Sequence, residues 1–185
     1  MNFKNYSNLK GQHAFLSPSN YHWINYDDDK LMARYDNMLA VKKGTELHEF
    51  AQKAIAHGIK LKGRQTLSLY VNDAIGYRMT PEQILYYSPN CFGTADAIAF
   101  SEQKKFLRIH DYKSGEVPAS MNQLKIYVAL FCLDYGYKAT EIDGEMRIYQ
   151  FNEYISEDID SDEIAHIMDK IVRSDEIIEK MKQEM

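Results

Sequence analysis

Apolar and polar positions alternate along this chain in two distinct rhythms. Leu47, Phe50, Ala51, Ala54 and Ile55 recur at helical spacing behind Gly44-Thr45, and Gly58 stops the run. Ahead of it, Ser17-Pro18 has the form of a helix start, with serine as cap and proline in the first turn. A short helix carrying Tyr21, Trp23 and Ile24 is expected there, then a second over about 29–40. A further helix is expected over about 65–78. The rhythm then changes. Ile84-Leu-Tyr-Tyr87, 91–100 and 105–112 read as three strands of a meander, with polar 101–104 as a turn. After Gly115 and Pro118 a helix is predicted from about 119 to 135, with Leu124, Tyr127, Val128, Phe131 and Cys132 on its apolar face. One or two strands are expected in 138–150. From about 160 to 185 Ile164, Ile167, Met168, Ile171 and Val172 make one stripe, continued by Ile178 and Met181. Asp160 with Glu163 forms a capping pair at its start. The order predicts an α/β fold: a mixed central sheet flanked by helices, with a helical N-terminal part and an amphipathic C-terminal helix.

Length fits this picture. The 185 residues suit one domain, 1–185, with a core over about 43–150. Hydrophobic residues at 45% and charged residues at 26% are ordinary for a globular chain. No apolar run reaches the length of a membrane span. The opening Met1-Asn-Phe-Lys-Asn-Tyr6 lacks a signal peptide's apolar core, so a cytoplasmic location is expected. Cys91 and Cys132 are too few for a disulfide framework or a cysteine-rich cluster, and read as buried free thiols. The net charge of −5 does not advertise nucleic-acid binding, but its acids concentrate in Asp27-Asp28-Asp29 and in the tail from Glu157 onward. Basic clusters remain at Lys42-Lys43, at Lys60, Lys62 and Arg64, and at Lys104-Lys105; each reads either as a solvated face or as a phosphate contact.

The chemistry concentrates at two strand ends. Asp96 stands between Ala95 and Ala97 in an apolar strand, where a carboxylate must be paired, hydrated or metal-bound. Asp111-Tyr112-Lys113 closes the next strand. Strand alternation turns Asp111 and Lys113 one way and Tyr112 the other, with the Tyr112 carbonyl still free to act as a ligand. His110 points away from this group. Two acids suit a hard divalent cation and a nearby ammonium suits a phosphate. His48 reads either as a core histidine or as a neutral imidazole ligand. Gln123 and Tyr127, four apart on one helix face, read either as packing residues or as hydrogen-bond donors to a phosphate or a strand end.

Four segments in this order, Gly44-Thr-Glu-Leu-His48, Gly93-Thr-Ala-Asp96, Asp111-Tyr-Lys113-Ser-Gly115 and Gln123-Leu-Lys-Ile-Tyr127, resemble the motifs of RecB-type nucleases in the PD-(D/E)XK superfamily. Leu16-Ser-Pro-Ser-Asn-Tyr-His-Trp23 resembles the opening of a phage and prophage branch of that group. The resemblance spans about residues 15–150. It implies a restriction-endonuclease-like core and a DNA exonuclease of recombination, repair or processing. It also implies Mg²⁺ or Mn²⁺ held by His48, Asp96, Asp111 and the Tyr112 carbonyl. Lys113 would act on the attacking water and the transition state, and Gln123 and Tyr127 would shape the substrate side. The chain departs from the pattern at Gln52, where relatives often carry an acid, and it lacks the four cysteines of the relatives that hold an iron–sulfur cluster. A catalytically degenerate binding module is the alternative. A subunit working beside a helicase or recombination protein, docked through the last helix, is a third reading; a homo-oligomer is compatible with each.

Overall fold

The structure is a computed structural model and describes residues 7–9, 11 and 13–184. The first six residues, on which the expectation about an export signal rests, lie outside them. Contacts divide the chain into two compact units, Met1–Lys43 and Gly44–Met185.

In the first unit a 3₁₀ helix covers Pro18–Asn25, with proline in its first turn as expected. Ser17 holds it differently from the expectation. Its hydroxyl makes no cap bond and pairs with Ser19 Oγ at 2.7 Å, while its carbonyl accepts from Trp23 Nε1 at 3.1 Å. The helix α1 that follows, Asp28–Ala56, is one continuous element and not the two expected. Asp27 starts it by accepting the Lys30 N–H at 2.8 Å. Gly44 costs the helix roughly 1 kcal/mol relative to alanine but leaves its hydrogen bonds intact. No described residue from Ser7 to Lys43 is buried.

The second unit is built on a five-stranded sheet of order β1-β2-β3-β4-β5: Thr80–Ser88, Cys91–Ser101, Phe106–Tyr112, Asp143–Gln150 and Glu153–Asp158. Neighbours are antiparallel except β3 and β4, which are parallel. The parallel step needs a crossover, and α3, Asn122–Tyr135, supplies it. Gly136 ends α3 at φ +72°, where glycine avoids the left-handed penalty. β1 starts four residues earlier than the apolar run implied. Pro81 is tolerated there because β1 is an edge strand. β5 was not expected as a separate strand; all six of its residues are exposed, so no buried alternation announces it.

Two cores lie on opposite faces of this sheet. One packs α3 and the start of α4, Ser161–Gln183, against Leu85, Leu107, Ile109, Met146 and Ile148. Asp160 caps α4 by accepting from Asp162 N and Glu163 N at 2.9 and 3.1 Å. Ile164, Ile167, Met168 and Ile171 of its stripe join this core, whereas Ile178 and Met181 stay exposed. The other core joins Ala51, Ala54 and Ile55 of α1 and Tyr70, Val71 and Ala74 of α2, Thr66–Gly76, to Tyr112 and Tyr149. No helix among the described residues is long and apolar enough to cross a membrane.

Gly144 is where the parallel step is tightest. A Cβ there would lie 2.0 Å from the Leu107 carbonyl oxygen and 2.7 Å from Ile159 Cδ1. Gly144→Ala is expected to destabilise the protein by about 2 kcal/mol or more in urea denaturation. Gly76→Ala, which meets open space at the end of α2, is expected to be neutral or to stabilise by up to about 1 kcal/mol.

Candidate metal centre

The site is assembled from the start of β1, the end of β3 and one face of α1, with Asp96 in the middle of β2 and not at the strand end expected from the sequence. Ala51, Ala54 and Ile55 bury α1 against the sheet and thereby fix the rotation of the helix that carries His48. Gly44 lets that helix approach the loop after β3: a Cβ there would stand 3.1 Å from Ser114 Oγ. His48 Nδ1 lies 3.4 Å from Asp96 Oδ2, and its ring meets Tyr112 edge-on at 5.3 Å. Burial lowers the imidazole's pKa below 6.5, against the opposing pull of Asp111 and Glu82. A hydrogen bond to the Tyr112 backbone also acts on the ring in the raising direction. The ring is therefore neutral at pH 7, the form that ligates metals.

Asp96 Oδ2 also accepts the Tyr112 N–H at 2.9 Å. Burial still raises its carboxyl to about 6, with Glu82 adding to the effect and the Tyr112 N–H and Lys113 opposing it. Asp111 is likewise raised to about 6, first by burial and then by the charge of Asp96. Lys113 Nζ sits 3.1 and 3.0 Å from the two Asp111 oxygens, as expected from strand alternation. The buried Oδ2 of Asp111 nevertheless has no well-aligned hydrogen bond.

The other two predicted residues turn toward the protein. Gln123 Oε1 accepts from Lys113 Nζ at 2.9 Å, and Gln123 Nε2 donates to the Tyr127 hydroxyl at 3.4 Å. That hydroxyl donates to the Thr94 carbonyl at 2.6 Å. A chain of contacts thus runs from Asp111 through Lys113, Gln123 and Tyr127 to the strand carrying Asp96. Gly93 makes room for it, because a Cβ there would lie 2.9 Å from Tyr127 Cε1.

The sequence reading missed one member. His48, Glu82 and Asp96 each offer a ligand atom, and the three atoms lie within 4.8 Å of one another. Asp111 is not one of the three; it stands beside them, bound by Lys113. Glu82 belongs to β1 and sits at φ +52°, a conformation uncommon outside glycine. The pairs Pro81–Ala97 and Gln83–Ala95 place it across from Asp96. At that step both strands change face. Leu85, Tyr87, Cys91 and Ala95 pack with α3, yet Met79, Ala97 and Ala99, at the same parity, pack with α1 and α2. The signal available in the sequence was an acid beside Pro81 in a segment of strand period, and only the backbone reversal makes it a partner of Asp96.

The donor set of carboxylate oxygens and one neutral imidazole fits a hard or borderline divalent cation. An excess of carboxylates over the single ammonium of Lys113 and a poorly bonded buried oxygen of Asp111 fit such an ion as well. Cys91 and Cys132 are free, on β2 and α3 respectively. No protein-family model matches the chain, and no curated protein matches it significantly in sequence.

The raised carboxyls carry a defined sign. Asp96 and Asp111 bind protons more tightly when folded, at about 6 against 3.8, so their contribution to stability is present below about pH 4 and is lost as pH rises through 6. His48 acts in the opposite direction, its protonation on acidification working against folding. Asp96→Asn is expected to raise the urea midpoint of the metal-free protein at about pH 8. Mn²⁺ is expected to raise the melting temperature of the wild type at about pH 8, much less at about pH 5 where protons compete, and not that of Asp96→Asn. A Mn²⁺ shift of wild-type size in the variant would remove Asp96 from the ligand set.

Proposed function

We propose that this protein is a divalent-metal-dependent DNA nuclease, acting as an exonuclease. The observation that carries the reading is the junction of half-buried Asp96 and buried Asp111, both with raised pKa, with Lys113 held between Asp111 and Gln123. Phosphodiester cleavage needs charge neutralisation, an acidified water and a fixed positive group, and this junction offers residues for each. The resemblance to RecB-type nucleases supports DNA as the substrate and the exonuclease mode.

His48, Glu82 and Asp96 would hold Mg²⁺ or Mn²⁺, with Asp111 and the Tyr112 carbonyl alongside; such an ion neutralises a phosphate oxygen and lowers the pKa of its water. Lys113 places a positive charge and a proton donor at Nζ, where the phosphate gains charge in the transition state. Gln123 withdraws one of Lys113's directions of motion, and Tyr127 fixes Gln123 against the Thr94 carbonyl. His48 stays neutral and keeps its lone pair available. Gln52 weighs less against catalysis than the sequence alone implied. It is exposed on α1, and Glu82 brings a third carboxylate to the group from β1.

The test is hydrolysis of end-labelled linear and covalently closed circular DNA with Mg²⁺, Mn²⁺ or chelator. Linear DNA is expected to be shortened from its ends with either metal, with no product in chelator and none from the closed circle. Lys113→Ala is expected to lower kcat by about 10²–10³-fold while keeping the Mn²⁺-induced thermal shift. Gln123→Ala is expected to lower it less. Wild-type turnover in Lys113→Ala refutes the role given to the lysine, and a wild-type protein that binds Mn²⁺ but cuts neither DNA leaves the binding-module reading in its place.

A further inference from the structure

The loop between α1 and α2 carries Lys60, Lys62 and Arg64, all exposed, within five residues. None of the three makes an ion pair among the described residues, although acids outnumber basic residues in the chain by 27 to 22. Three neighbouring like charges repel one another, so a loop left free would spread them. This loop is pinned instead. Asn72 grips Leu61 from both sides, accepting its N–H at 2.8 Å and donating to its carbonyl at 2.9 Å. Ser68 Oγ donates to the Lys62 carbonyl at 3.0 Å. Gly63 takes φ +97°, a turn that other residues resist. The backbone is thus held in one shape while three cations project from it.

The same bonds give the loop a place. Thr66, two residues beyond Arg64, donates its N–H to Asn152 Oδ1 at 3.0 Å, and its hydroxyl accepts the Asn152 N–H at 2.8 Å. Asn152 lies in the turn between β4 and β5. Lys113 is bound to the same stretch: its N–H donates to the Tyr149 carbonyl at 3.0 Å. Tyr149 and Asn152 are three residues apart, at most about 10 Å even for an extended chain. The cations therefore stand at the end of the sheet where Asp111 and Lys113 stand. The other basic turn, Lys104-Lys105, joins β2 to β3 at the opposite end.

From this we infer that the Lys60–Arg64 loop is a preformed rail for the phosphate backbone of the nucleic acid whose scissile bond lies at the carboxylates, contacting phosphates a few nucleotides from it. The inference rests on the nuclease reading above. A polyanion with evenly repeated charge suits the loop better than a single anion, because three separated cations are matched together only by successive phosphates. Fixing the loop beforehand lowers the ordering cost of each contact. The contacts are made to the backbone, so they raise affinity without choosing a sequence.

The experiment compares wild type with Lys60→Gln/Lys62→Gln/Arg64→Gln and, as a control, Lys104→Gln/Lys105→Gln. Anisotropy of a fluorescein-labelled oligonucleotide, single- and double-stranded, is followed in Ca²⁺ over a range of salt, and cleavage is measured in Mg²⁺. All substituted side chains are exposed or half-exposed, and a thermal melt verifies the fold. In the triple variant the slope of log affinity against log salt is expected to become shallower by about 2 to 3, at about 0.7 to 0.9 per phosphate. KM is expected to rise at least about tenfold with kcat changed less than about twofold, and the control is expected to match wild type. An unchanged slope and KM in the triple variant, or an equal loss in the control, overturns the rail while leaving the nuclease reading standing. Wild-type protein that neither binds nor cuts the oligonucleotide overturns both.

Discussion

Two carboxylates that burial keeps from ionising freely govern this structure. Asp96 and Asp111 are each raised to about 6 chiefly by desolvation, and the charge of Asp96 adds to the shift of Asp111. The protein opposes this with limited means: the Tyr112 N–H on Asp96 and the Lys113 ammonium on Asp111. Glu82 brings a third acid to the group, and His48, neutral at pH 7, contributes no charge. With all three acids ionised, one ammonium leaves two negative charges, which a divalent cation would balance. The cost of assembling the group is thus a cost borne by the metal-free protein, which is the expected signature of a site organised for a ligand and not for stability.

The same constraint explains the irregularity in the sheet. An undistorted antiparallel pair would alternate its side chains without interruption from Met79 to Tyr87 and from Cys91 to Ala99. Here both strands reverse face at Glu82 and Asp96, so register survives while alternation does not. A single bulged strand would have shifted the register by one and misaligned every later pair. Reversing both strands keeps the register from Thr80 to Tyr86 and lets two acids leave the ladder together; the register shifts only beyond, between Tyr86 and Ser88. The left-handed backbone at Glu82 is the local cost, and strain of this kind is found at functional sites.

Much of this was legible in the chain. Asp96 could be read because a carboxylate between alanines in an apolar strand needs a partner, and Asp111-Tyr112-Lys113 because strand period fixes which side chains share a face; the Lys113–Asp111 contact follows from it. His48 was open between core residue and ligand in the helical pattern, and only the resemblance to RecB-type nucleases singled it out. Glu82 was not, because its position depends on a backbone reversal that no periodicity encodes. The long α1 was read as two helices because Gly44 carries the weight of a boundary in sequence, whereas here it serves the approach to Ser114. Gln123 and Tyr127 were found, but their partners were not: spacing showed that they share a face and could not show that the face turns toward Lys113 and Thr94.

Net charge was the least informative quantity. Many of the acids that make the chain negative are committed to holding its own fold. Asp160 caps α4; Glu157 and Glu163 both pair with Lys125; Asp175 accepts from Ser88 and Asn90, and Glu179 from Asn90 and Lys182. Arg108 and Arg147 are in turn taken up by Glu145 and Asp73. What a polyanion would meet is the remainder after these pairings, and in the loop between α1 and α2 that remainder is the exposed Lys60, Lys62 and Arg64, which make no ion pair among the described residues. An acidic sum and a locally cationic loop are therefore compatible, because fields near a surface are set by unpaired charges within a Debye length and not by the total.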